Sequence, residues 1–156
     1  MKLTLIAVGH KMPDWIAAGV DDYMRRMPPD MPMKLVEIKP GHRVAGEDGE
    51  KARKIESGRI LAALPAGSLP VALDERGAQL TTRELADWLA SCMAEGVSPA
   101  FIIGGADGLD ASVKTRAGSL LGLSKLTLPH ALARLMLVEQ LYRATCILKN
   151  HPYHRD

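Results

Sequence analysis

Five short runs of aliphatic residues alternate with five stretches whose apolar residues recur at helical spacing, and this alternation restricts the chain more than any other feature. The strand-like runs are residues 2–8 (KLTLIAV), 34–38 (KLVEI), 69–73 (LPVAL), 100–104 (AFIIG) and 123–128 (LSKLTL). Helical patterns cover 13–26, 49–64, 81–95, 111–121 and 129–149. Runs apolar at nearly every position suit strands covered on both faces, and each intervening helix supplies the crossover that parallel neighbours need. The sequence therefore predicts one α/β domain over residues 1–156, with a mostly parallel sheet covered by helices.

Local signals agree with those boundaries. Pro13 and Pro129 stand at helix starts, where a missing N–H costs nothing. Thr81 and Glu84 form a Thr-x-x-Glu capping box, Gly96 stops the helix it opens, and Asp110 can cap the next. The Pro-rich stretch from Met27 to Pro32 and the Gly-rich, charged stretch from Pro40 to Gly49 read as mobile loops. From Ala131 to Lys149 the helix is apolar on nearly every side, so it needs cover on nearly every side. One sheet covers one side. A second subunit would cover the other, and a position in the middle of a helical layer is the alternative.

Composition narrows the functional classes. With 47% apolar and 24% charged residues the chain is globular rather than disordered. A single Phe, three Tyr and two Trp make the core aliphatic and exclude an aromatic base-stacking sheet. A net charge of +2, with no basic half, confines any polyanion contact to a local patch. Cys92 and Cys146 have no metal-ligand spacing and no disulfide framework, which suits a reducing cytoplasm. The first apolar run is too short for a signal peptide, and no stretch is long enough for a membrane span.

Ligands of open α/β sheets bind beyond the carboxyl ends of the strands. Those ends carry Gly9-His10, Leu73-Asp74, the Gly104-Gly105-Ala106-Asp107-Gly108 turn and Leu128-Pro129-His130. Paired glycines let backbone approach a ligand closely, yet neither a P-loop nor a dinucleotide fingerprint is present. His130 is either a packing residue at a helix start or a donor to an anion or base edge; His10 and His42 read as exposed loop residues. Asp74 and Asp107 could hold a ribose or cap a turn. The terminal stretch His151-Pro152-Tyr153-His154-Arg155-Asp156 either frays or folds over a pocket, bringing acid/base, stacking and phosphate-binding groups together.

Five segments in this order and spacing, VGHKMPDW (8–15), IIGGADGL (102–109), LSKLTLPH (123–130), LVEQLYRA (137–144) and HPYHR (151–155), make the chain resemble the RlmH family of SPOUT-class ribosomal RNA methyltransferases. The resemblance spans essentially the whole chain. It implies a homodimeric α/β fold with a deep C-terminal trefoil knot, a feature that general topology rules would forbid. It implies S-adenosylmethionine as methyl donor, without a metal, held by backbone around Leu73, Gly104, Gly105 and the segment Leu123, Ser124, Lys125, Leu126, Thr127 and Leu128. It also implies N3-methylation of a pseudouridine in 23S ribosomal RNA on assembled ribosomes. In that chemistry His154 or His130 would relay the imide proton, Arg155 would stabilise the anionic base or hold a phosphate, and Tyr153 would pack against the target base, the tail reaching the site of the second subunit. A SPOUT enzyme of another rRNA or tRNA site, or a non-enzymatic ribosome-assembly factor, would share part of this pattern.

Overall fold

Strand β1 (Leu3–Val8) is buried at all six positions, as a strand must be when helices lie on both its faces. The computed structural model, which describes residues 1–155, places it near the middle of a five-stranded sheet. The elements alternate as α1 (Asp14–Arg26), β2 (Met33–Ile38), α2 (Glu50–Ala63), β3 (Leu69–Gln79), α3 (Thr82–Glu95), β4 (Pro99–Ile103), α4 (Ala111–Ala117), β5 (Leu120–Gly122) and α5 (His130–Leu148). The strand order is β2-β1-β4-β3-β5, and every pair is parallel.

Alternate residues of β1 divide the core. Leu3, Leu5 and Ala7 pack with α1, α3 and α5 through Ile16, Leu89, Leu137 and Leu141. Ile6 and Val8 pack with α2 and α4 through Ile60 and Val113. Helix α5 lies between α1 and α3, so two of the sides that its apolar pattern left needing cover are covered within the chain. The capping box at Thr81 and Glu84 and the Gly96 stop form as the sequence predicts, and the Asp110 side chain caps α4.

Three expectations change. Helix α4 ends at Ala117, short of 121, because Gly118 takes a left-handed conformation with φ of 70° and closes it. The last strand is then Leu120–Gly122, not 123–128. Residues 123–129 form a loop, in which the Ser124 hydroxyl accepts from the Leu126 N–H at 2.9 Å and competes with strand pairing. The stretch Met27 to Pro32 is not a detached loop: Met27 and Met31 are buried, and the Pro32 carbonyl accepts from the Leu3 N–H at 2.9 Å.

Strand β3 runs past 73 to Gln79, but its register against β5 jumps, with Leu73 and Ala78 both facing Leu121. Residues 74–77 are thereby pushed out over the strand ends. At this crossing Gly77 presses on the backbone of β5, where an added Cβ would lie 2.5–2.7 Å from Leu120, Leu121 and Gly122 backbone atoms. On the facing strand, a Cβ at Gly122 would lie 2.8 Å from the Gly77 carbonyl oxygen. Two glycines meet because two backbones must.

Candidate active site at the carboxyl edge of the sheet

The extruded residues 74–77, the turn after β4 and the loop after β5 enclose a cleft of about 630 Å³ above the carboxyl ends of β3 and β4. Leu73, Gly104 and Gly105 line it, as do Leu123, Ser124, Leu126, Thr127 and Leu128. Lys125, in the same loop, is not part of the lining and is exposed.

The turn after β4 closes by a bond from the Gly108 N–H to the Gly105 carbonyl at 3.0 Å, with Gly108 at φ of 76°. Any side chain at 104 would strike the Gly108 backbone and Leu109 at 2.9 Å. The turn therefore shows peptide groups to the cleft.

His130 opens α5 and lies in the cleft wall. Its Nδ1 is 2.7 Å from the Gly104 carbonyl and its Nε2 is 3.2 Å from Nη2 of Arg134. A carbonyl can only accept, so Nδ1 carries the proton and Nε2 accepts from the guanidinium. Burial first, and then the Arg134 charge, hold the imidazole below its ordinary pKa, so it is neutral at pH 7. Arg134 is fully buried, one turn along α5. It also donates to the Gly9 carbonyl at 3.2 Å and to Glu37 at 2.7 Å, while its Nε finds no partner among the described residues. The ends of β1, β2 and β4 are thus tied to the start of α5. Sequence reasoning passed over Arg134, although a lone Arg four residues after His130 in an apolar helix was a readable signal.

Asp74 and Asp107 line the cleft as the sequence suggested, but its cations Lys114 and Arg53 were missed, because they come from distant segments. Lys114 of α4 bonds Asp74 at 2.5 Å, and the Arg76 N–H adds a bond at 2.8 Å; the Lys114 contact leads in holding the Asp74 carboxyl below its usual range. Arg53 reaches the cleft from α2.

The tail lies elsewhere in the same chain. The Tyr153 hydroxyl donates to Glu139 at 3.0 Å and is 3.1 Å from the Tyr23 hydroxyl; its ring is 4.7 Å from Tyr142 and lies under the Arg143 guanidinium at 4.7 Å. Burial, then the Tyr23 and Glu139 bonds, raise its pKa far above the ordinary phenol value and keep it neutral. Glu139 stands nine residues after His130, roughly 13 Å along the helix. His154 is partly buried and Arg155 exposed. Within one chain, then, His130 is at the cleft, and Tyr153 packs against α1 and α5 further along the helix. Asp156 lies outside the described residues.

Comparison with known proteins covers the whole chain. A family model described as "Predicted SPOUT methyltransferase" matches residues 1–154. A protein of Thiobacillus denitrificans named "Ribosomal RNA large subunit methyltransferase H" is 70% identical over 100% of both chains. One of the same name from Paraburkholderia xenovorans is 56% identical over 99% of each. Among solved structures, a probable methylase family protein from Haemophilus influenzae superposes with a TM-score of 0.56 at 16% identity, covering 99% of this chain and 70% of that one. A ribosomal RNA small subunit methyltransferase E from Neisseria gonorrhoeae, solved with S-adenosyl methionine, gives 0.52 at 14% identity, covering 95% and 66%.

Proposed function

Because the chain belongs to the SPOUT methyltransferase family, we propose that it methylates N3 of a pseudouridine in 23S ribosomal RNA, acting in the cytoplasm as a homodimer on assembled ribosomes. The observation that carries this reading is the full-length match to relatives named for the large ribosomal subunit, combined with a glycine- and leucine-walled cleft where an α/β sheet binds ligands. Among the described residues no helix is long and apolar enough to cross a membrane.

The cleft suits S-adenosylmethionine. Gly104 and Gly105 line it as bare backbone, because a Cβ at either would press on Gly108 and Leu109 or on Val8 and Glu56, and Leu73, Leu121, Leu123 and Leu128 give apolar walls. When bound, the donor supplies a methyl group on a positively charged sulfur, a good leaving group without metal help. The Gly104 turn and the 123–128 loop hold and orient it through peptide groups, and His130 fixes the Gly104 carbonyl from behind. Both ring nitrogens of His130 are engaged, so it suits positioning better than proton transfer. The imide proton of the target base then falls to His154, with Arg155 beside the developing anion and Tyr153 against the ring. Since Tyr153 sits far from the cleft of its own chain, these groups act on the cleft of the second copy. Trp15 on α1 and Met136 on α5 remain exposed and support such pairing.

The test is transfer of labelled methyl from S-adenosylmethionine to ribosomes of a strain lacking this protein, with mass mapping of the product. Label at N3 of one pseudouridine of 23S RNA is expected. Label in another RNA, or none, would reject the reading.

A further inference from the structure

The charged loop from Pro40 to Gly49 is fastened to the turn that walls the cleft. Nη2 of Arg43 lies 2.8 Å from Oδ1 of Asp107, yet the two partners differ: the Asp107 side chain is 12% exposed and that of Arg43 is 56% exposed. Gly49 makes the seat for the carboxylate. Its φ is 76°, and a Cβ there would come within 2.6 Å of the Asp107 Cγ. From α2, Arg53 lines the cleft and makes only a long 3.5 Å bond to the Asp107 carbonyl. Beneath, the Glu56 carboxylate accepts from the Gly41 N–H at 3.1 Å and backs Gly105.

With Arg43 more than half exposed the pair is screened and adds about 1 kcal/mol to folding, so stability alone does not explain Arg43. Neighbouring cations differ from it: Lys51 and Lys54 pair with Glu47 and Glu50 one helical turn away, as solvated surface charges do. Arg43 instead reaches 64 positions along the chain to a carboxylate at the rim of the cleft. A carboxylate and a phosphodiester present the same pair of oxygens to a guanidinium fork, so an arriving phosphate can take the half-exposed Arg43 side chain from Asp107, whose carboxylate stays seated against Gly49. With Arg53 the mouth then holds two guanidinium groups. This meets the demand that a chain of net charge +2 make its polyanion contacts locally.

Resting on the RNA reading above, we propose that Arg43 and Arg53 grip a phosphodiester of the RNA substrate at the mouth of the cleft, and that Asp107 is the stand-in anion holding Arg43 in place until the RNA displaces it. The rival is a plain brace, in which Arg43 serves only to hold the donor-side turn.

The experiment uses full-length protein and unmethylated ribosomes, with three readouts: KM and kcat, cosedimentation with ribosomes across a salt series, and calorimetric affinity for S-adenosylmethionine. Arg43→Gln should raise KM about tenfold, lower the slope of log affinity against log salt by about one, and leave donor affinity and saturating kcat unchanged. Arg43→Lys should recover the salt slope and part of the KM. Asp107→Asn, which frees Arg43, should bind ribosomes at least as tightly as wild type. An Arg43→Gln protein that loses donor affinity at normal KM would establish the brace, and one indifferent in KM and slope would also overturn the proposal. Wild-type protein that neither binds nor methylates ribosomes would instead reject the RNA reading, so the two failures are distinguishable.

Discussion

Replacing Arg134 with Met keeps nearly the same volume and removes a buried charge on which three strand ends converge. The cost follows from what is left behind. Breaking a fully buried pair costs about 3–5 kcal/mol, but the Glu37 side chain is 37% exposed and can rehydrate. The remaining loss is the stranded Gly9 carbonyl and His130 Nε2, each an acceptor left short of a donor at about 1–3 kcal/mol. The expected destabilisation is therefore about 2–6 kcal/mol, a large part of the about 5–15 kcal/mol that holds a domain together. Urea unfolding should show a lower midpoint at unchanged slope. The same variant removes a cation beside the imidazole, so the His130 pKa, followed by NMR, should move up toward its ordinary value. A loss below about 1 kcal/mol together with an unmoved His130 titration would refute the reasoning.

Other outcomes follow from the same geometry. His130 is neutral in the fold because burial and Arg134 lower its pKa, while unfolded it titrates near about 6.5. Its contribution to stability is therefore full above that pH and is lost as pH falls toward the native value, and His130→Gln should flatten this part of a urea series between pH 7.5 and 5.5; Glu56, raised by burial, acts in the opposite sense in both proteins. Gly77→Ala drives a methyl group into the β5 backbone and should cost about 3 kcal/mol or more, or prevent folding; soluble protein with wild-type urea midpoint would contradict the crossing. Removal of residues 153–156 should abolish methyl transfer while donor affinity and dimerisation persist, and full activity would reject the role given to the tail. A naked RNA hairpin should be a poor substrate beside whole ribosomes, given the small net charge; equal turnover would show otherwise.

The fold was legible where one physical signal dominated. β1, apolar but for Thr4, and β4 are buried at every position and lie inside the sheet; the Thr81 box and Gly96 bound α3 as expected. The last strand was misplaced because LLG (120–122) is too short to stand out beside LSKLTL (123–128), and only the Gly118 stop and the Ser124 turn decide between them. The α5 pattern truly signalled cover on several sides, but pattern alone cannot tell α1 and α3 from another subunit. At the candidate site the glycine turn stood out by composition, whereas the 123–128 segment entered only through the family resemblance, since its own pattern read as a strand. Lys114 and Arg53 could not be assigned to the site, because a contact between distant segments leaves no local spacing behind, whereas the His130–Arg134 spacing was readable and overlooked.

The account depends most on the cleft at Leu73, Gly104 and 123–128 being the seat of the methyl donor. Titrating S-adenosylmethionine into isotopically labelled protein while following backbone amides tests this directly. Saturable binding is predicted, with the largest shifts at residues 73–76, 104–109 and 121–130. Shifts centred on other segments, or none at saturating donor, would contradict it.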